Sequence, residues 1–243
     1  MARSNRQPSE VLLADLRARL EALAIRPGSA EPSIVRSGYQ PLDALLPGGG
    51  FRRGTLVEWL VEQPGAGAST LALGAARECC AAGGALVVVD GTGEFHPPGA
   101  VALGLSLEEL LLVRTASPED EHWAIDQALR SPGVAAVVAW PERCGPKAVR
   151  RWQLAAERSG SLGLLVRPAR VRDEPCWAAV RLAVATVPVV LPAGATASSV
   201  GRRLRVEWVR GSGVVVGKTI EWELGHETSA VPRLSVPRAS RRA

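Results

Sequence analysis

The sequence predicts an α/β protein: a doubly wound, mainly parallel sheet with an antiparallel extension near its C-terminal end and a separate helix at its N-terminal end. Three observations carry this expectation. Short apolar runs such as ALVVVD (85–90) and VAAVVAW (134–140) alternate with stretches of helical period, as in strands buried on both faces. A glycine-rich loop, EQPGAGAST (62–70), lies between a strand-like run and an alanine-rich helix. In the final quarter the period drops to two, the mark of strands covered on one face only.

At the N-terminal end, Ser9 can cap a helix in which leucines 12, 13, 16, 20 and 23 share a face, with Arg17, Arg19 and Glu21 opposite. Pro27-Gly28 ends it, and GSAEPSIVRSGYQ (28–40) reads as a linker rich in turn formers. Such a stripe must be buried, either on its own domain or in a partner's groove, which makes Leu12, Leu16, Leu20 and Leu23 candidate partner-binding residues. The expected division is residues 1–36 for helix and linker, 37–228 for the core domain and 229–243 for a basic flexible tail.

Within the core, the PGGGFRRG turn leads to a strand at 55–60, then the glycine loop, then a helix at 69–82 closed by Gly83-Gly84. Ser117 is placed as N-cap, with Pro118 at the first helical position and Asp120 at the third, for a helix to Arg130. The strand at 134–140 follows, then a helix from Pro146 to about Ser159 and a strand at 162–167. The alternation of RRLRVEWVR and TIEWEL, together with a strand at 181–186, predicts the antiparallel extension; RGSG (210–213) supplies a turn. The stretches 188–202 and 232–243 are expected to be mobile.

Composition bounds the function classes. A chain of 243 residues that is 47% hydrophobic buries a substantial core, which excludes disorder throughout. The opening MARSNRQPSE lacks the apolar centre of a signal peptide, and every apolar run is interrupted before it could span a bilayer, so a soluble cytoplasmic protein is expected. Cys79, Cys80, Cys144 and Cys176 have no C-x-x-C spacing and no clustered histidines beside them; they are expected to be buried thiols and no metal is expected. A net charge of +5 is compatible with nucleic acid, yet only Lys147 and Lys218 are lysines, and an arginine bias can reflect a GC-rich genome.

The glycine loop is a phosphate-binding loop in outline. Such a loop requires G-x-x-x-x-G-K-[ST]: backbone N–H groups curl around phosphates, the lysine reaches the β and γ phosphates, and the hydroxyl holds Mg²⁺. The fitting register puts Glu62 at the first glycine, Gly67 at the second and Ala68 at the lysine, and leaves Gly65, Gly67, Ser69 and Thr70 as the residues able to touch a nucleotide. A lost charge-assisted contact costs roughly 1.5–3 kcal/mol. The magnesium-binding acid that should end a later strand is also missing, since VAAVVA is followed by Trp140-Pro141, with Glu142 beyond. Asp90 and Glu94 follow another strand, where Asp90 reads as a turn or helix-capping residue. No cofactor is expected, turnover is not expected, and weak ATP binding through the helix N-terminus stays open.

The segments SGYQPLDALLPGGGFRRGTLVEWL, VVVDGTGEFHPPGAVALGLSLEELLLVR and RRWQLAAERSGSLGLLVRPA resemble, in order and spacing, the ImuA proteins, RecA-like accessory factors encoded with damage-inducible mutagenic polymerases. The likeness runs from about Ser37 to Leu224. It implies a RecA-like P-loop NTPase core and a role in SOS-induced translesion synthesis beside an ImuB-like inactive Y-family polymerase relative, an error-prone C-family DNA polymerase and RecA, in the bacterial cytoplasm and at the nucleoid during damage. Against RecA itself, Glu62, Ala68 and the absent acid at Ala139 or Trp140 put filament cycling in doubt.

In RecA-like folds the loops after the two central strands face DNA. Here those carry Arg143, Lys147, Arg150 and Arg151, and then Arg167, Arg170 and Arg172, which are candidates for contact with single-stranded DNA or else a solvated basic face. Trp140, Trp152 and Trp177 lie near them and are expected in the core. Arginines 233, 238, 241 and 242 of the tail are either electrostatic tethers or solvating charge. The leading expectation is a non-hydrolysing interaction module that could also form homo-oligomers. The rivals are an ATPase with an unconventional site built on Asp90, Glu94 or Glu142, and a plain DNA-binding protein.

Overall fold

A computed structural model describes residues 33–188 and 202–224. The helix expected to carry Leu12, Leu16, Leu20 and Leu23, most of the 188–202 loop and the C-terminal tail lie outside the described residues.

Eight strands form one sheet: β3 (Leu56–Val61), β4 (Ala85–Asp90), β5 (Leu110–Arg114), β6 (Val134–Ala139), β7 (Leu162–Pro168), β8 (Val180–Thr186), β9 (Arg202–Gly211) and β10 (Thr219–Leu224). Their spatial order is β10-β9-β8-β3-β7-β6-β4-β5. The six from β8 to β5 run parallel, and β9 and β10 add on antiparallel. A two-stranded ladder, β1 (Ile34–Val35) with β2 (Phe51–Arg52), stands apart.

Helices cover both faces, as the crossovers of a parallel sheet require. α2 (Ala68–Cys80) buries Leu71, Ala72, Ala75 and Ala76 against Trp59, Val88, Val138 and Leu164, and the short α1 (Gln40–Leu45) adds Leu42 and Leu45 to the same cluster. On the opposite face, α4 (Pro118–Arg130) and α5 (Pro146–Ser159) bring Ile125, Leu129 and Trp152 onto Val87, Val89, Val137 and Leu165. Each leucine, isoleucine or valine among them stabilises by about 1.5–3 kcal/mol when fully buried. α4 starts where the sequence places it: Ser117 Oγ accepts from the Asp120 N–H at 3.1 Å and donates to Asp120 Oδ2 at 2.8 Å. Gly160, with φ of 81°, closes α5.

The structure differs from expectation in four places. The strand at 180–186 is not part of the antiparallel extension on both sides: it pairs parallel with β3 and antiparallel only with β9, because alternation reports which face is covered and not the direction of the neighbour. The end of the expected linker is structured, Ile34 and Val35 pairing with Arg52 and Phe51; a Cβ at Gly50 would fall 2.3 Å from the Val35 carbonyl oxygen, so only glycine permits this approach. β5 and the six-residue α3 (Pro97–Ala102) were not expected, the first because LLLVR follows a leucine-rich run without a break, the second because two prolines open it.

At the centre of the sheet sits a buried charge cluster. Glu58 of β3 is fully buried between Arg167 of β7 and Arg181 of β8. Its Oε1 lies 3.1 Å from Arg167 Nη1 and its Oε2 accepts from Arg181 Nε at 2.7 Å. Arg181 Nη1 donates in turn to the carbonyls of Val171, Arg172 and Glu174, which ties the β7–β8 connection to the strand beneath it.

Candidate functional site

The connections leaving the C-terminal ends of β3, β4, β6 and β7 meet over a cleft of about 680 Å³, where open α/β sheets place their ligands. The glycine loop forms one wall. Between Val61 and Ala68 the chain closes on itself, the Ala66 N–H donating to the Gln63 carbonyl at 3.0 Å, while Pro64 has no N–H to offer. Gly65 and Gly67 are both left-handed, with φ of 73° and 93°.

β9 presses on this loop from above. Leu204 methyl carbons lie 3.1 and 3.2 Å from where a Cβ on Gly67 would stand, and Arg202 Nη1 donates to the Gly65 carbonyl at 2.7 Å. Gln63 Nε2 donates to the Thr186 carbonyl at 3.0 Å. Glu62, at the position of the first glycine, faces Arg205 at 3.5 Å and Arg172 at 3.9 Å. Ala68, at the position of the lysine, is buried.

Trp140 links the loop to the strand opposite. Its indole Nε1 donates to Ser69 Oγ at 2.9 Å, and Phe95 is tilted against its ring with centroids 6.2 Å apart. Ser69 is the hydroxyl a phosphate-binding loop turns toward Mg²⁺, and Trp140 occupies the position where the metal-binding acid is expected. Asp90 is engaged by its own turn: Oδ1 accepts from the N–H groups of Gly93 at 2.8 Å and Glu94 at 3.1 Å and from Thr92 Oγ1 at 3.4 Å, and Oδ2 from the Phe95 N–H at 3.1 Å. Its reading as a turn residue agrees with this. Glu94 and Glu142 line the cleft, Glu142 lying 3.6 Å from Arg170.

The basic candidates separate into three groups. Arg167 does not face a ligand on the surface: it is 3% exposed and held by Glu58, because its position on β7 turns it into the sheet. Arg151, Arg170 and Arg172 are exposed or half-buried but paired, with Asp126 at 3.1 Å, with Glu142, and with Glu207 and Glu62 respectively. Arg143, Lys147 and Arg150 have no carboxylate partner among the described residues. Arg150 instead lies over the ring of Trp177, 4.5 Å from its centroid. Trp177 is 49% exposed and so departs from its expected place in the core, whereas Trp152 is fully buried there with Nε1 on the His122 carbonyl. The turn-rich segment after β7 holds Trp177 outside the sheet, which composition alone does not convey.

The cysteines are inert. Burial pushes the thiols of Cys79 and Cys144 up to about 11 and those of Cys80 and Cys176 up to about 12, which leaves them protonated at neutral pH. Among the described residues no cluster of histidine, cysteine or carboxylate is arranged to hold a metal, and no helix is long and apolar enough to cross a membrane.

No family model matches the chain. Protein ImuA of Caulobacter vibrioides (strain NA1000 / CB15N) is 32% identical over 145 residues, 57% of this chain and 59% of its own length. Protein RecA of Picosynechococcus sp. is 35% identical over 106 residues, and Protein RecA of Lactobacillus delbrueckii subsp. bulgaricus 33% over 106, each match covering 44% of this chain and about a third of the relative. The chain thus spans about three fifths of the length of the ImuA relative it matches. The resemblance to the ImuA proteins is sustained, and the α/β core is RecA-like.

Proposed function

We propose that the chain is a non-hydrolysing RecA-like accessory protein of the DNA-damage response, acting in mutagenic translesion synthesis by bridging an ImuB-type inactive polymerase relative, an error-prone C-family polymerase and RecA. The observation that supports it most directly is the hydrogen bond from Trp140 to Ser69. A magnesium–triphosphate complex does not fit that arrangement. The hydroxyl is already an acceptor of an indole N–H, the lysine is a buried alanine, the acid is a tryptophan, and Glu94 and Glu142 would face the phosphates. A rigid shape with its nucleotide chemistry replaced by internal contacts is what a scaffold for other proteins requires.

The test is Mg²⁺-dependent ATP turnover by the full chain, with and without single-stranded DNA, beside a pulldown with the ImuB-type protein. Absent turnover with retained pulldown is expected. Turnover that Thr70→Ala abolishes would overturn the proposal in favour of an ATPase with an unconventional site.

A second reading, contact with single-stranded DNA, is favoured by one observation. Arg150 stacked on the exposed Trp177, with Arg143 and Lys147 unpaired nearby in sequence, combines a ring face with phosphate-neutralising charge.

A further inference from the structure

Beside the cleft, between the C-terminal ends of β4, β5 and β6 and the first turn of α4, lies a separate socket of about 310 Å³. Trp140 and Glu142 line both spaces. The socket also receives Glu121, which is only 9% exposed and whose carboxylate has no hydrogen-bond or ion-pair partner among the described residues. A buried carboxylate without a partner is costly to maintain. Two further details describe its surroundings. A Cβ on Gly91 would come within 3.1 Å of Glu121 Oε1, so glycine there leaves the carboxylate its room, and Thr115 Oγ1, 3.4 Å from the same point, is buried without a hydrogen-bond partner.

We propose that this socket receives an arginine side chain from a protein partner. Its volume admits one long side chain, and its two carboxylates, Glu121 and Glu142, favour a cation over a phosphate. A guanidinium entering it pairs with the Glu121 carboxylate and lies along the Trp140 ring, with Glu142 on the same wall, which uses the planar fork and the π-face that an ammonium cannot use as well. Burial, Glu142 and Asp90 all raise the Glu121 pKa, so the carboxyl gains from a cation more than an exposed one does. Two arginines temper the field: Arg143 lines the socket, and Arg170 sits 3.6 Å from Glu142. The inference is independent of the absence of ATP turnover, because a working ATPase could carry the same socket.

The experiment uses the full chain and two probes, N-acetyl-arginine amide and its uncharged citrulline counterpart, with the Trp140 indole N–H resonance, assigned by Trp140→Phe, as the readout. The arginine probe should shift that resonance saturably, and the citrulline probe and Glu121→Gln should each weaken binding by about tenfold to a hundredfold. Glu121→Gln replaces an unpaired carboxyl by an amide of the same shape, and an unchanged or higher Tm checks that it folds. Panning random peptides against the protein, with Glu121→Gln as counter-selection, should enrich one fixed arginine. Equal shifts from both probes, an unaffected Glu121→Gln, or enriched peptides lacking a basic residue would each overturn the proposal. Tighter probe binding after changing Arg233, Arg238, Arg241 and Arg242 together to Gln would overturn the partner assignment, since the occupant would then be this chain's own tail.

Discussion

Strand β3 and the loop that follows it handle charge in opposite ways. Within β3, Glu58 is wholly buried and pinned by two arginines from the strands on either side, one of which also gathers three backbone carbonyls. Four residues later, Glu62 faces Arg172 and Arg205 across 3.9 and 3.5 Å at a half-open surface, and the remaining loop contacts are single hydrogen bonds. The first arrangement makes the fold depend on its charges. The second rests on replaceable contacts at the surface, so the loop above the scaffold depends far less on its charges.

The largest expected effect tests the first half of that contrast. Glu58→Gln leaves Arg181 buried with no carboxylate and Arg167 with Glu174 alone, at 3.5 Å, and breaking one side of a buried charge cluster costs about 3–5 kcal/mol. Urea denaturation of the variant should show a loss of that order. The apolar triple Glu58→Met, Arg167→Leu, Arg181→Met should recover much of it, and a Glu58→Gln loss below about 1 kcal/mol would remove the distinction between the two regions.

The second half is tested by putting the chemistry back. Ala68→Lys with Trp140→Asp supplies the cation and the acid and frees the Ser69 hydroxyl. Isothermal titration with Mg²⁺–ATP should show a gain of about one to two decades in affinity over wild type, the worth of one charge-assisted contact. If no gain appears, the block lies in Glu62 and in the cover that β9 provides, which adding Glu62→Gly would then reveal.

Glu121 gives an effect that depends on pH. Burial first, then Glu142 and Asp90, raises its folded-state pKa above the ordinary 4.5, so the folded protein keeps a proton that the unfolded chain releases. Stability contributed at this group therefore falls as pH rises from the unfolded value through the folded one, and the cost is complete above it. The Tm advantage of Glu121→Gln over wild type should be absent at low pH and grow across that window. A difference that shrinks with rising pH would mean the carboxyl is paired in solution.

Much of this was legible in the sequence because the signals were local. Ser117-Pro118 with Asp120 specifies a helix start through its own hydrogen bonds, and ALVVVD and VAAVVA can only be buried strands at that length. The vacant lysine and acid positions follow from spacing alone. What replaced them did not, because the Trp140–Ser69 bond joins residues 71 apart and the sequence offered Trp140 merely as an apolar residue. Glu58 was equally hidden: a single carboxylate inside LVEWLV betrays nothing until the register sets Arg181 directly beside it. Glu121 drew no reading from the sequence; it is one of three acidic residues in the first turn of α4, and only the packing of that turn near Gly91 and Thr115 separates it from Glu119 and Asp120.

The smallest effect concerns Arg150 and Trp177, which belong to neither side of the contrast. Their stacking is solvent-facing, worth about 0.5–1 kcal/mol, so Trp177→Ala should shift Tm slightly while the fold stays intact. Cores bury tryptophan because the ring removes so much apolar surface from water, and a ring left 49% exposed under a guanidinium gives the fold little. If single-stranded DNA is the ligand, Arg150→Ala should lower the slope of log affinity against log salt by about one, and Trp177→Ala should weaken binding with the slope unchanged, since it removes stacking and no charge. A fluorescence-anisotropy titration at several salt concentrations separates these outcomes, and equal slopes in wild type and Arg150→Ala would leave the pair as surface structure alone.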